Sequence, residues 1–263
     1  MGLSRFSGPI GGFDYSFRSP GTIHWYRMKV MGLKYQAGQF LVLALLSCAS
    51  ASATTVFVQV DPALNPSITV DRTVDGGASW SLAEGVGAIQ MFTQPGQPDI
   101  VPLDFYTFCI EPLEFLGAGD FITYNLVSLD QGATNIGGMG ATKANYVSEL
   151  LYRFYPDLSV APSAVLGAAV QAAIWEIVRE TSSTFDLTTG AVQFANWSDD
   201  AARVLAASML SQLTGSGPYL DTIQALALSG GTQDVLVQVT PEPSTFLLFG
   251  SALALFGLRR RKR

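Results

Sequence analysis

Two short apolar segments, one near each end of the chain, restrict the folded part of the protein to the stretch between them. The first is Phe40–Leu46 and the second is Phe246–Leu258. Basic residues precede the first segment and follow the second, which is the arrangement of segments read by export and membrane machinery. We therefore expect one exported domain over residues 54–240, flanked by a signal peptide and a C-terminal membrane tail.

Residues 28–53 have the order of a secretion signal. A stretch with two lysines and no acid leads into the apolar run Phe40–Leu46, and Ala51-Ser52-Ala53 then places small residues before Thr54. This basic, apolar and small-residue order is typical of a signal peptide. The sequence predicts that signal peptidase cuts after Ala53 and leaves Thr54 as the mature N-terminus.

The residues upstream of this signal fit no part of it. Residues 1–27 mix Tyr, Phe, Gly and Pro without periodicity, so we interpret them as a non-native extension and expect translation to start at Met28 or Met31. An alternative processing site remains open. The segment Leu45-Leu46-Ser47-Cys48 loosely resembles a lipobox, which would make Cys48 an acylated residue.

The C-terminus combines three features in a fixed order. A Pro241-Glu242-Pro243 motif precedes the apolar span 246–258, and a basic cluster ends the chain: Arg259, Arg260, Arg261, Lys262 and Arg263. Thirteen helical residues reach about 20 Å, less than the roughly 30 Å apolar core of a bilayer. The cluster is expected to stay on the cytoplasmic side and hold the tail, at least transiently, in the inner membrane.

This order resembles the PEP-CTERM sorting signal of Gram-negative bacteria, with residues 241–263 as the sorting tail. The resemblance implies that an exosortase recognises the tail and that the protein is sorted to the cell envelope or the extracellular matrix. An ordinary tail anchor with a Pro-containing linker is the alternative interpretation.

The charge of the body argues against several partners. Of 15 Lys and Arg, only five lie between Thr54 and Thr240, whereas 19 of the 21 acidic residues do, so this stretch has a formal charge near −14. Such a body repels nucleic acid and anionic lipid. We therefore expect no nucleic-acid partner, and membrane contact only through the tail.

The body predicts an α+β fold, a strand-rich sandwich or barrel with two or three inserted helices. Helical patterns cover Lys143–Tyr155, a second segment to about Glu180 with Ser163 as N-cap, and a third from about Asp199 to Leu213 with Ser198 as cap. Alternating, β-branched stretches predict strands at Thr54–Val60, Ile68–Val74, Ala88–Phe92, Leu103–Ile110, Phe121–Leu129 and Asp234–Val239.

Two residues of the body call for an explanation. Cleavage after Ala53 removes Cys48 and leaves Cys109 without a disulfide partner in an oxidising compartment. Gln171 lies on the apolar stripe of the second helix, with Trp175 one turn further on. A buried amide must find partners, so replacing Cys109 is expected to leave Gln171 in search of new ones.

The two motifs that carry these residues are Thr107-Phe108-Cys109-Ile110-Glu111 and Val170-Gln171-Ala172-Ala173-Ile174-Trp175. They resemble the class I thioester domains of bacterial surface adhesins. The resemblance implies an internal Cys109–Gln171 thioester, a supporting shell that includes Phe108 and Trp175, and covalent coupling to an amine on a surface or matrix partner. The alternative is a buried free cysteine in a non-reactive structural or exopolysaccharide-matrix protein.

Other chemistry finds little support in the sequence. The single histidine, His24, lies outside the predicted mature chain, which argues against a histidine-dependent hydrolase and a zinc site. Glu111 and Glu114 are three residues apart and are expected to be solvated. We expect no metal, no cofactor and no enzymatic activity.

Overall fold

The structure is a computed structural model that describes most of the predicted body. Its described residues are 54–61, 67–97, 100–114, 116, 119–182, 184–228 and 233–240. The predicted upstream extension, signal peptide and sorting tail lie outside these residues, and the division into those segments stays a prediction.

The described residues form an α+β fold, as the sequence predicts. The strands are β1 Thr54–Val60, β2 Ile68–Thr73, β3 Ser81–Val86, β4 Ile89–Thr93, β5 Asp104–Thr107, β6 Ile122–Ser128, β7 Gln193–Ala195, β8 Ile223–Ala227 and β9 Val235–Gln238. The helices are α1 Gly140–Phe154, α2 Ala164–Arg179 and α3 Asp200–Ser211.

Six strands form an antiparallel sheet that curls into a nearly closed barrel. Their order is β5-β4-β1-β6-β8-β9. The chain segment after β5 then meets β9: Leu236 donates its N–H to the Phe108 carbonyl at 3.1 Å, and Ile110 donates to the Asp234 carbonyl at 3.0 Å. The first and last strands of the sheet are thereby joined, which satisfies backbone groups that an open edge would expose.

The remaining strands form a second sheet that packs against the helices. Strands β3, β2 and β7 form a second, three-stranded sheet, and α2 contacts both this sheet and the other two helices. Twelve consecutive residues of α2, from Gly167 to Val178, are buried. A helix that is buried all round is typical of a core element.

Most predicted elements are confirmed, with shifts of one to three residues at their ends. Ser163 is the N-cap of α2, since its hydroxyl accepts the N–H of Leu166 at 3.2 Å. The predicted cap of α3 is wrong: Asp199 caps the helix, and Ser198 instead bonds to the backbone of Thr69 in β2. The contact between Ser198 and β2 depends on the tertiary structure, and the local sequence signals for a helix start do not predict it.

Candidate functional site

Cys109 lies in the seam that closes the barrel. It forms an isolated antiparallel bridge with Val235, the first residue of β9, and it is 5% exposed. The hydrogen bonds of this seam come from the two neighbours of Cys109, Phe108 and Ile110. The N–H and C=O of Cys109 itself therefore point away from β9, because consecutive residues in a strand direct their backbone groups to opposite sides.

Gln171 takes the place of a strand neighbour on that other side. Its side-chain oxygen Oε1 accepts the N–H of Cys109 at 2.8 Å, and its Nε2 donates to the Cys109 carbonyl at 2.7 Å. Gln171 is 1% exposed. The structure thus brings together the two residues that the sequence singles out, and both polar groups of the amide are hydrogen-bonded.

The expectation that Gln171 loses its partners when Cys109 is replaced is wrong. The amide contacts the backbone of Cys109, and backbone groups remain when the side chain changes. The thiol is therefore not needed for the hydrogen bonds of Gln171. The sequence could not show this, because it does not reveal which atoms of a residue meet its partner.

The Cys109 thiol lies among charged and polar groups as well as apolar ones. Burial raises the pKa of the thiol above its ordinary range, the positive charge of Arg72 lowers it, and the negative charge of Glu111 raises it further. Tyr124 in β6 is fully buried, and this burial raises the pKa of its phenol.

The predicted shell is only partly assembled around the pair. Trp175 is buried one turn after Gln171, and its ring stacks on Phe194 with centroids 6.5 Å apart. Phe108 is fully buried but contacts the ring of Tyr155 edge-on at 5.6 Å. Because side chains alternate along an extended segment, Phe108 and Cys109 face opposite sides of the seam. Trp175 thus lies on the Gln171 side, whereas Phe108 supports the strand from behind.

The expectation that Glu111 is solvated is wrong. Its carboxylate is fully buried and accepts the N–H groups of Asn135 at 2.7 Å and of Asp234 at 2.9 Å. Burial raises the pKa of Glu111, with the charges of Asp234 and Glu114 acting in the same direction. This carboxylate ties the loop before α1 to the start of β9, and no spacing in the sequence predicts that contact.

Arg72 is a further residue at the site that the sequence analysis missed. Its guanidinium lies over the Trp175 ring, 4.7 Å from the centroid, and is paired with Glu84. The only sequence signal is indirect: Arg72 follows Asp71 in a strand whose other four residues are β-branched, and a cation in such a strand suggests a buried partner.

Neither a metal site nor a membrane helix is found in the part of the chain that the structure covers. No group of three or more His, Cys, Asp or Glu residues there has the geometry to hold a metal ion. Among the described residues there is also no helix with the length and apolarity needed to cross a membrane. The span 246–258 lies outside these residues.

A comparison with protein families places the C-terminal segment. Residues 239–262 match the family described as the PEP-CTERM protein-sorting motif. The chain therefore carries the sorting signal of an exported, cell-envelope-associated protein that exosortase processes. No curated protein and no solved structure matches the chain.

The PEP-CTERM match begins inside the folded body. Its first residue, Val239, donates its N–H to the Thr222 carbonyl at 2.8 Å, and Thr240 donates to the Ile100 carbonyl at 2.9 Å. The Pro-Glu-Pro motif starts at residue 241, directly after these two hydrogen-bonded residues.

Proposed function

We propose that this exported protein forms an internal thioester between Cys109 and Gln171 and uses it to attach covalently to an amine on a surface or matrix partner. The observation that carries the proposal is the pair of hydrogen bonds between the Gln171 amide and the Cys109 backbone. They hold the carbonyl carbon of Gln171 beside the residue that bears the nucleophile, and bound reactants of fixed orientation react far faster than free ones.

The same hydrogen bonds suit the chemistry of thioester formation. The Cys109 sulfur attacks the side-chain carbonyl carbon of Gln171, a C–S bond forms, the C–N bond breaks, and the thiol proton leaves with the amide nitrogen as ammonia. The N–H of Cys109 donates to the oxygen on which negative charge develops, as a backbone oxyanion donor does. The Cys109 carbonyl accepts from the departing nitrogen.

Coupling to a partner reverses the roles of these groups. A primary amine attacks the thioester carbonyl, the C–S bond breaks, and the amine proton passes to the sulfur, which leaves an amide to Gln171 and a free Cys109 thiol. The reaction consumes the thioester, so we propose a single-use adhesin and not an enzyme. The burial of Cys109 and Gln171 protects the bond from water before a partner arrives.

Intact mass of the full chain tests the proposal. The variant Cys48→Ser leaves Cys109 as the one thiol in the sequence. In this background we expect a mass lower than the sequence by one ammonia, and uptake of one methylamine at Gln171 with release of the thiol. Cys109→Ala and Gln171→Ala should each abolish both signals, and the exposed-residue control Gln212→Ala should leave both intact.

An unmodified mass, with Cys109 alkylated in the native protein, would refute the thioester. That result would favour the alternative of a non-reactive structural or exopolysaccharide-matrix protein. In that case the role of Gln171 is structural. Its amide pairs with the N–H and C=O of Cys109, which have no neighbouring strand on that side.

A further inference from the structure

One side chain of α2, the indole of Trp175, is held by a cross-strand pair of the second sheet. Arg72 in β2 and Phe194 in β7 lie opposite each other in the antiparallel register, which puts their side chains on the same face of that sheet. The Arg72 guanidinium lies over the Trp175 ring, 4.7 Å from its centroid, and the Phe194 ring stacks on the indole with an interplanar angle of 4°. All three residues are buried, so the pair holds the indole within the core.

Contacts with the ring, and not a hydrogen bond, orient the indole of Trp175. Its Nε1 is buried and has no hydrogen-bond partner among the described residues. Glu84 in β3 fixes the Arg72 guanidinium by two hydrogen bonds, from Nε to Oε2 at 2.6 Å and from Nη2 to Oε1 at 3.0 Å. A planar guanidinium that is fixed in this way both attracts an aromatic ring and sets its orientation.

The helix face that carries Trp175 also carries Gln171, one turn earlier. Side chains extend about 5–6 Å from a helix axis, so a rotation of α2 by about 10° would move the Gln171 amide by about 1 Å. Such a movement takes the hydrogen bonds to the Cys109 backbone, at 2.8 and 2.7 Å, out of their normal range. A misplacement of about 1 Å can also slow a reaction about a hundredfold.

We propose that the Arg72–Phe194 pair positions the thioester site: by holding Trp175 it fixes the rotation of α2 and keeps the Gln171 carbonyl carbon beside Cys109. The pair acts through the indole and the helix, not through contact with the reacting atoms. Its role in the reaction rests on the proposed thioester, whereas its effect on the hydrogen bonds between Gln171 and the backbone of residue 109 does not.

The first test reads the backbone N–H of residue 109 in a chain that cannot form the thioester. In the full chain with Cys48→Ser and Cys109→Ala, this N–H still has the Gln171 oxygen as its acceptor. Its hydrogen exchange, followed by NMR in detergent, therefore reports the position of the amide. The N–H groups of Ile110 and Leu236, which are hydrogen-bonded across the seam, serve as internal references.

We expect Arg72→Met and Phe194→Leu each to speed exchange at residue 109 about tenfold or more relative to the two references, because local opening exposes one amide without unfolding the barrel. Arg72→Lys keeps a cation over the ring and should retain most of the protection. The matched control is Phe185→Leu, which removes an aromatic contact with Tyr146 on α1, at 5.0 Å between centroids, and should leave the ratio unchanged.

Faster exchange at residue 109 relative to the references supports the inference, since a general loss of stability would raise all three rates alike. Equal increases at the three amides, no increase at all, or the same change of ratio in Phe185→Leu would overturn it. If Arg72→Met does not fold, Phe194→Leu decides.

The reaction itself is read in the full Cys48→Ser chain, in which Cys109 is present. We expect Arg72→Met to slow the loss of ammonia from newly synthesised protein about tenfold or more, and Arg72→Lys to recover most of the rate. An unchanged rate in Arg72→Met would overturn the positioning role. If the parent chain loses no ammonia, the proposed thioester fails, and exchange at residue 109 still decides whether the pair positions Gln171.

Discussion

At the residue scale, the central feature is the Gln171 side-chain amide, which forms the two backbone hydrogen bonds that a neighbouring strand would otherwise form. Gln171 gives the backbone of Cys109 one acceptor and one donor, at the point where the barrel closes and no neighbouring strand is available. Buried backbone groups almost always have partners, and here a single side chain supplies both. Gln171 therefore contributes to stability through hydrogen bonds to the backbone, whereas the side chain of Cys109 takes no part in these bonds.

The two substitutions at the site should destabilise the protein unequally. Gln171→Ala leaves the N–H and C=O of Cys109 unpaired and opens a void, whereas Cys109→Ala keeps both hydrogen bonds and removes one sulfur. We expect Gln171→Ala to be the less stable of the two by about 1–3 kcal/mol, because each unpaired buried group is costly. Any covalent link is lost alike in both, so the difference does not depend on it.

Urea unfolding of the full chain in detergent measures this difference. Gln212→Ala, at an exposed position after α3, is the matched control and should change the free energy of unfolding by less than about 0.5 kcal/mol. Equal stability of Cys109→Ala and Gln171→Ala would contradict the backbone role of Gln171.

At the scale of elements, α2 is the helix that joins the parts of the fold. Its small residues allow close approach: a Cβ added at Gly167 would lie 3.0 Å from the backbone nitrogen of Ala88, so the helix and the start of β4 meet there nearly without side chains. The helix also buries an acid, Glu176, whose Oε1 accepts the N–H of Asp186 at 2.8 Å while Oε2 has no partner among the described residues.

Glu176 should make the stability of the protein depend on pH. Burial raises the pKa of Glu176 to about 8, so the folded protein holds a proton that the unfolded chain releases near its ordinary value of 4.5. The folded state binds more protons across that interval, and stability should therefore fall as the pH rises from about 4.5 to about 8. Glu176→Gln keeps the shape and removes the charge.

We expect Glu176→Gln to be more stable than the parent at pH 9, by on the order of 1–3 kcal/mol, and to differ little from it at pH 4. Thermal unfolding at a series of pH values is the measurement, and Asp120→Asn at an exposed position is the control. A parent and variant with parallel pH profiles would show that Glu176 is not protonated in the folded state.

At the scale of the whole molecule, the barrel ends where the sorting signal begins. The last described residues, Val239 and Thr240, are hydrogen-bonded to the body, and the Pro-Glu-Pro motif follows at once. An exosortase that cuts near this motif would release the barrel with almost no tail.

The charge of the last five residues should control sorting. Replacing Arg259–Arg263 with five Gln is expected to reduce retention and processing several-fold, because basic residues hold the tail on the cytoplasmic side. Five Lys at the same positions keep the charge and serve as the matched control. Cell fractionation and the change in electrophoretic mobility on processing report the result, and a Gln variant that matures like the parent would contradict the expectation.

The sequence by itself determined the C-terminal sorting signal, the fold class and most of the elements. Export and sorting signals are read as linear order, so the PEP-CTERM motif is identifiable without a structure. Strand β1, the cap at Ser163 and the extent of α2 follow from local periodicity and capping chemistry. Strands β3, β7 and β8 were missed, because their sequences lack clear alternation. Strands β7 and β8 also pair with distant partners, β2 and β6, whereas β3 pairs with the neighbouring strand β2.

Only the tertiary structure decided how the candidate site is built. The sequence brought Cys109 and Gln171 to attention, but it did not show that the amide binds the cysteine backbone at the barrel seam. It gave no indication that Arg72, 37 positions before Cys109, is buried over the Trp175 ring, or that Glu111 is buried. Such contacts depend on barrel closure and on the packing of a second sheet against α2, and these join residues whose separation along the chain leaves no periodic trace.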